Sequence, residues 1–190
     1  IVDKKCIECH GVEGRGDALA RLHLVDYVEC GLEDFGRKGG YFERQLRRLS
    51  DQYRSGATEI IESMDFLIDW VPRHLPDDDS TAIAHGDFRL GNVILDAKTS
   101  GVVAVLDWEL ATLGHPLADL AYCCVAFHLP AGTPHFDGLA DVDLEAIGLP
   151  TEQELVNRYC ARVGRPSIPG WNFYLAFSLF RLAAISKGIY

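Results

Sequence analysis

The 190-residue chain has no apolar run of membrane-spanning length, no dense run of lysine or arginine, no internal repeat and no low-complexity tract. Its longest apolar stretches, such as NFYLAFSLF at 172–180, fall far short of the roughly 20 residues a spanning helix needs. That excludes a membrane span, and a soluble protein is expected. With 18 Lys and Arg against 28 Asp and Glu, the net charge is −10, and no cationic stripe is present to follow a phosphate backbone. Nucleic acid is excluded as a partner. Methionine occurs once, at Met64, and the chain opens with Ile1-Val2-Asp3-Lys4-Lys5, without a basic-then-apolar leader. It is expected to be an excised or incomplete piece. The cysteine spacing does not suggest a disulfide lattice: there are six, with Cys123 and Cys124 adjacent inside an apolar run, as buried thiols of a reducing compartment would be. A cytoplasmic location is expected.

What is present near the start is CIECHG, at 6–11. Cys6, Cys9 and His10 spell the C-x-x-C-H pattern of covalent haem attachment. A haem protein also needs an apolar pocket and a distal ligand, whereas Met64 falls on the core face of a predicted helix. A zinc reading that adds His23 lacks the second histidine that a finger places three to five residues further on. The segment is read as a polar loop that carries two cysteines.

A hydrophobic content of 48% in a chain of this length is enough for one sizeable core, so residues 1–190 are expected to form a single domain. An irregular leading segment is expected over 1–16 and helices over 17–74. The first is a short helix at 17–26, with Ala18, Leu19 and Leu22 at helical spacing. The second, at 40–53, is an amphipathic surface helix with Phe42, Leu46 and Leu49 on one stripe. The third, at 57–74, carries Ile60, Ile61, Met64, Leu67, Ile68 and Val71 at steps of three and four, frays at Pro72 and Pro76, and is read as the central core helix. The three aspartates at 77–79 are read as a solvated acidic turn. Two short apolar runs, NVILD and VVAVLD, flank AKTSG and predict a β-hairpin within 82–109. A helical subdomain is expected over 115–190: a helix at 115–129, a loop, a helix at 151–163 opened by a Thr151/Glu154 capping box and closed by Gly164, and a largely buried helix at 171–190.

In an antiparallel hairpin, Asn92 at the start of the first strand and Asp107 after the end of the second return to one end of the ribbon, and the loop bearing Asp87 adjoins that end. Two carboxylates and an amide carbonyl then face a common space. Such oxygen donors suit magnesium, which keeps waters and substrate phosphates in its remaining positions. Phosphoryl transfer also asks for a carboxylate that accepts a hydroxyl proton, a task that suits Asp87 while Asn92 and Asp107 hold the metal. Taken singly, each of the three is an ordinary turn or strand cap. The order D-x-x-x-x-N, hairpin, D is far more specific.

HGDFRLGN at 85–92, VLDWE at 105–109 and GHPLADLA at 114–121 resemble the catalytic loop, the metal-binding segment and the following G-x-P-x-x-D-L-A stretch of the aminoglycoside phosphotransferase and choline kinase-like family, a branch of the protein-kinase-like fold. The wording LDWELATLGHPLADLAY, with LARLH upstream and FSLFRLAAISKGIY downstream, is most similar to the phosphotransferase domains related to, or fused with, acyl-CoA dehydrogenases. The resemblance implies an α+β fold: a mostly helical C-terminal lobe whose small β-hairpin carries the catalytic and metal-binding residues. It implies Asp87 as catalytic base, Asn92 and Asp107 as magnesium ligands, Glu109 as an auxiliary metal group, and His85 and Asp119 as supports of the loop. For Asp119 a plain helix-start carboxylate is the other reading, and Arg89 is read as an ion-pair partner and not as a catalytic group. The implied activity is ATP- and magnesium-dependent phosphorylation of a hydroxyl on a small substrate, an aminoglycoside, a choline-like alcohol or a hydroxyacyl compound. The family's β-rich N-terminal lobe, with its phosphate-pairing lysine, has no counterpart in the 84 residues before His85, so that lobe, or a fused or associated enzyme, is an expected partner. Its absence leaves a second reading open, a non-catalytic kinase-like binding or regulatory module.

Overall fold

The computed structural model describes residues 13–56, 61–98, 101–133, 136 and 138–187. Cys6, Cys9 and His10, and with them the haem and zinc readings, lie outside the described residues, as does Ile60. Among the described residues, six α-helices and the strands of two small antiparallel sheets follow in chain order: α1 (Glu13–His23), α2 (Tyr41–Gly56), α3 (Glu62–Trp70), β1 (Ala82–Ala84), β2 (Val93–Leu95), β3 (Val102–Val105), β4 (Thr112–Gly114), α4 (Pro116–Cys124), α5 (Glu152–Val163) and α6 (Trp171–Lys187). No helix among the described residues is long and apolar enough to cross a membrane.

The helices follow their apolar spacing. Phe42, Leu46 and Leu49 on α2 are all buried, on the predicted stripe. Thr151 accepts from the Glu154 N–H and Glu154 answers at the Thr151 N–H, the capping box that starts α5, and Gly164 closes that helix with φ 73° in the left-handed region that glycine adopts without steric cost.

Two expectations need correction. The leading segment is not irregular to residue 16, because α1 begins at Glu13; Gly14 and Gly16 are poor helix formers that obscured its first turn, and α1 gains its support by packing on α5. The helix expected at 57–74 is not the central one. It spans nine described residues, buries only Met64 and Ile68, and leaves Phe66 63% exposed. A helical period marks a buried stripe and does not report depth. The central helix is α4, buried at each of its nine positions, Asp119 included, and packed against α6. The acidic turn is solvent-exposed at Asp77 and Asp79, as expected, and is tied down as well: Asp79 Oδ1 accepts from the Gly40 N–H at 2.8 Å, and Asp78 pairs with Arg165 at 2.7 Å.

The predicted hairpin is present. β2 and β3 pair antiparallel with Val93 opposite Val105, and the register shifts between Ile94 and Leu95. A second ribbon joins β1 to β4, with Ala82 opposite Gly114 and Ala84 opposite Thr112. Ala84 immediately precedes His85, and Gly114, opposite Ala82, ends β4 one residue before the N-cap of α4, His115, so this pairing starts α4 beside the start of β1, and Asp119 of α4 reaches the loop that follows β1. Sequence reasoning missed it, since AIA and TLG are too short to show a two-residue alternation.

Candidate active site

His85 to Asn92 leave β1 as an irregular loop ending in a 3-10 turn, Leu90–Asn92. The loop is held from several directions. Asp119, buried in the first turn of α4, accepts the His85 N–H on Oδ2 at 2.5 Å and the Gly86 N–H on Oδ1 at 2.7 Å. The Asp119 Oδ2 also meets His23 Nε2 at 3.4 Å, and His23 Nδ1 lies 2.7 Å from the Tyr159 hydroxyl. Burial alone would raise the Asp119 pKa; the His23 ring and the two backbone N–H groups outweigh it and hold the carboxyl below its ordinary range. His85 Nε2 reaches the Leu106 carbonyl at 2.8 Å while its Nδ1 accepts the Asp87 N–H at 3.2 Å. Those two contacts require a neutral ring protonated on Nε2, which pins the loop to the end of β3. The ring stacks at a tilt on Trp108, 4.8 Å between centroids.

Gly86 sits at φ 84°, and a Cβ there would lie 2.6 Å from the Leu110 carbonyl oxygen. Only glycine accommodates both the left-handed backbone and that approach. On its far side, the Gly86 carbonyl accepts from Arg181 Nη2.

Asp87 and Asn92 meet directly. The Asn92 amide donates to the Asp87 carboxylate at 2.8 Å and to its carbonyl at 2.9 Å. With its nitrogen so engaged, the buried Asn92 offers Oδ1 as its remaining ligating atom. Arg89 pairs with Asp87 at 3.2 Å, the ion-pair role expected of it. Tyr122 stands nearby, its phenol pushed up to about 12 by burial first and by the Asp87 carboxylate second.

Asp107 is reached through the backbone: the Leu106 N–H donates to the Asn92 carbonyl at 2.8 Å, so the next residue emerges beside the loop. It has φ 64° and ψ 61°, the one positive-φ position outside glycine among the described residues, a conformation that costs roughly 1–2 kcal/mol and turns the chain sharply at the strand end. Its side chain is exposed, as is that of Glu109 two residues on in the 3-10 turn Trp108–Leu110. Neither carboxylate is bonded to another described residue.

Among the described residues no three His, Cys, Asp or Glu side chains stand close enough to cage a metal. The Asp107 carboxylate and the Asn92 Oδ1 are both oxygen donors, of the kind magnesium takes when water and phosphate complete its shell. The chemistry of these residues fits that ion.

Two groups at the site carried no sequence signal of function: Arg181 sits within the apolar pattern of α6 and Tyr122 within that of α4. The position of each follows only from how α4 and α6 pack. His23, weighed only as a zinc ligand, is engaged with Tyr159 and Asp119.

The loop braced by Asp119 sits in a kinase-like phosphotransferase fold. The sequence profile described as "Phosphotransferase enzyme family" matches residues 12–155, and the chain belongs to that family. It is 47% identical over 172 residues to mouse (Mus musculus) acyl-CoA dehydrogenase family member 10, covering 90% of this chain and 16% of the relative, and 41% identical over 176 residues to rat (Rattus norvegicus) family member 11, covering 92% and 22%. A crystal structure from Ralstonia eutropha JMP134, assigned by name to the aminoglycoside phosphotransferases, superposes with a TM-score of 0.90 at 44% identity over 98% of this chain and 56% of that one. The fold is also that of the Streptomyces rimosus aminoglycoside phosphotransferase APH(3'')-Id, described in complex with ADP and streptomycin, with a TM-score of 0.62 at 22% identity over 93% of this chain and 64% of that one. The chain thus spans under a quarter of the two dehydrogenase-family relatives and a little over half of the Ralstonia protein.

Proposed function

We propose that this chain carries the catalytic lobe of a small-molecule kinase that moves the γ-phosphoryl group of ATP to a substrate hydroxyl. The observation that carries this reading is the Asn92 amide locked on Asp87 at 2.8 Å while the backbone bond from Leu106 to Asn92 delivers Asp107 to the same end of the hairpin. In this reading Asp87 accepts the proton of the acceptor hydroxyl, and the freed oxygen forms a bond to the γ-phosphorus as the bond to the ADP oxygen breaks. Asn92 and Asp107 would hold magnesium, and Glu109, exposed and two residues on, takes an auxiliary position. When bound, the ion neutralises charge on the phosphate oxygens. His85 and Asp119 orient the loop and touch no substrate.

The elements that cover the phosphates, including the lysine that kinases supply from the other lobe, are assigned to protein outside these 190 residues, either an N-terminal lobe or a fused enzyme. The acceptor is a small hydroxylated compound, and the dehydrogenase-family relatives favour a hydroxylated acyl compound over an aminoglycoside. The test is thermal unfolding of the full-length protein with and without magnesium and ADP. A ligand that binds only the folded state raises the melting temperature, so a rise is expected for the wild type and its loss for Asp107→Ala. No rise in the wild type would support the non-catalytic module instead.

A further inference from the structure

The buried Arg181, midway along α6, has no task in the reading above. It is 5% exposed and lies 95 residues from the group it holds, the Gly86 carbonyl oxygen. Its guanidinium carbon also stands 4.9 Å from the centre of the Tyr122 ring, close enough for a cation–π contact, and it is the phenol of Tyr122 that the Asp87 carboxylate acts on. Its Nε has no hydrogen-bond partner among the described residues. A buried guanidinium with an unmet donor is costly, so packing alone is a poor reason for its presence.

Asp119 supplies the other half of the arrangement. The Gly86 N–H donates to the Asp119 carboxylate at 2.7 Å and the Gly86 carbonyl accepts from Arg181. One residue is therefore gripped on its donor side by a buried anion from α4 and on its acceptor side by a buried cation from α6. That carbonyl belongs to the peptide linking Gly86 to Asp87, so its direction sets ψ of Gly86 and with it the direction in which the Asp87 side chain leaves the loop. At φ 84° glycine itself exerts little steric control over that angle, and the control must come from its bonds.

We infer that Arg181 is a positioning residue of the phosphotransfer site, which acts through the Gly86 carbonyl and the Tyr122 ring to hold Asp87 in its working direction. The inference rests on the phosphoryl-transfer reading above for its consequence in activity, but not for the clamp itself.

The full-length protein, as wild type, Arg181→Lys and Arg181→Met, is assayed in two ways. Magnesium-dependent release of ADP from ATP, with water as the acceptor, gives kcat and KM for ATP. Backbone hydrogen exchange gives the protection of Gly86, Asp87 and Phe88 against that of the core of α4. For Arg181→Met, kcat is expected to fall at least tenfold with KM for ATP within about twofold, and exchange at residues 86–88 to speed up at least tenfold while α4 is unchanged. Arg181→Lys, which keeps a charge and a donor, is expected to recover part of both losses. Unchanged exchange at residues 86–88 in both variants overturns the clamp, as does a loss of protection spread evenly over α4 and α6. If the wild type releases no ADP, the phosphoryl-transfer reading fails, and the exchange measurement still decides whether Arg181 holds the loop. Should Arg181→Met not fold, Arg181→Lys alone decides: local loosening at 86–88 upholds the role, and wild-type exchange with wild-type kcat removes it.

Discussion

Asp119 holds Gly86 by a 2.7 Å hydrogen bond from the backbone N–H of the glycine to Oδ1, while Oδ2 takes the N–H of His85. A carboxylate is needed because both oxygens accept. In Asp119→Asn one of those positions becomes an amide nitrogen, which cannot accept, and a buried backbone N–H loses its partner. A loss of about 1–3 kcal/mol is expected, measurable as a lower urea midpoint at an unchanged slope. An unchanged midpoint would show that the loop is not held from α4.

Gly86→Ala is expected to destabilise the chain for two separate reasons, the left-handed backbone at φ 84° and the Leu110 carbonyl 2.6 Å from the added carbon. The cost expected from the backbone alone is about 1 kcal/mol or more, and the clash adds to it. By comparison, Gly132→Ala, at φ 81° with no atom of the described residues within 4 Å of the added carbon, meets the backbone cost alone. The difference between their melting temperatures isolates the contact with Leu110.

Acid should weaken the fold in two separate steps. His115, buried beside Asp78, has its pKa lowered from 6.5 by burial, against the pull of Asp78. The folded chain binds that proton less readily than the unfolded chain does, so the stability it contributes is complete above about pH 6.5 and declines as the pH falls below it. Asp78 is held at about 2 against an ordinary 3.8: burial opposes its charge, and hydrogen bonds from Ser80 and Arg165 outweigh burial. Its contribution is complete above pH 3.8 and lost as the pH falls toward about 2. Melting temperatures recorded from pH 8 to pH 2 are expected to fall in both windows, and Asp78→Asn is expected to flatten the lower one. A midpoint independent of pH between 6.5 and 4 would remove the buried neutral His115.

Much of this arrangement was legible from residue spacing. The capping box at Thr151, the stripe on α2 and the β2–β3 hairpin are each set by neighbours within a few residues, where local chemistry decides the outcome. The meeting of Asp87 with Asn92 follows from a five-residue separation across one loop. What escaped depends on contacts that local pattern does not encode. The β1–β4 ribbon joins three-residue strands about thirty residues apart, and Arg181, Tyr122 and His23 gain their neighbours only when α1, α4 and α6 pack together. The helix expected at 57–74 differs for a related reason: its spacing predicts a buried face, and only tertiary packing decides that α4 lies deeper.

In the proposed reaction Asp87 takes the acceptor proton, and magnesium-dependent ATP consumption by the full-length protein tests that role most directly. The substitution Asp87→Asn keeps the shape of the side chain but removes its basicity. Turnover is expected to fall by about 10²–10⁴, with a melting temperature near that of the wild type. Turnover equal to that of the wild type in the folded variant would contradict the assignment.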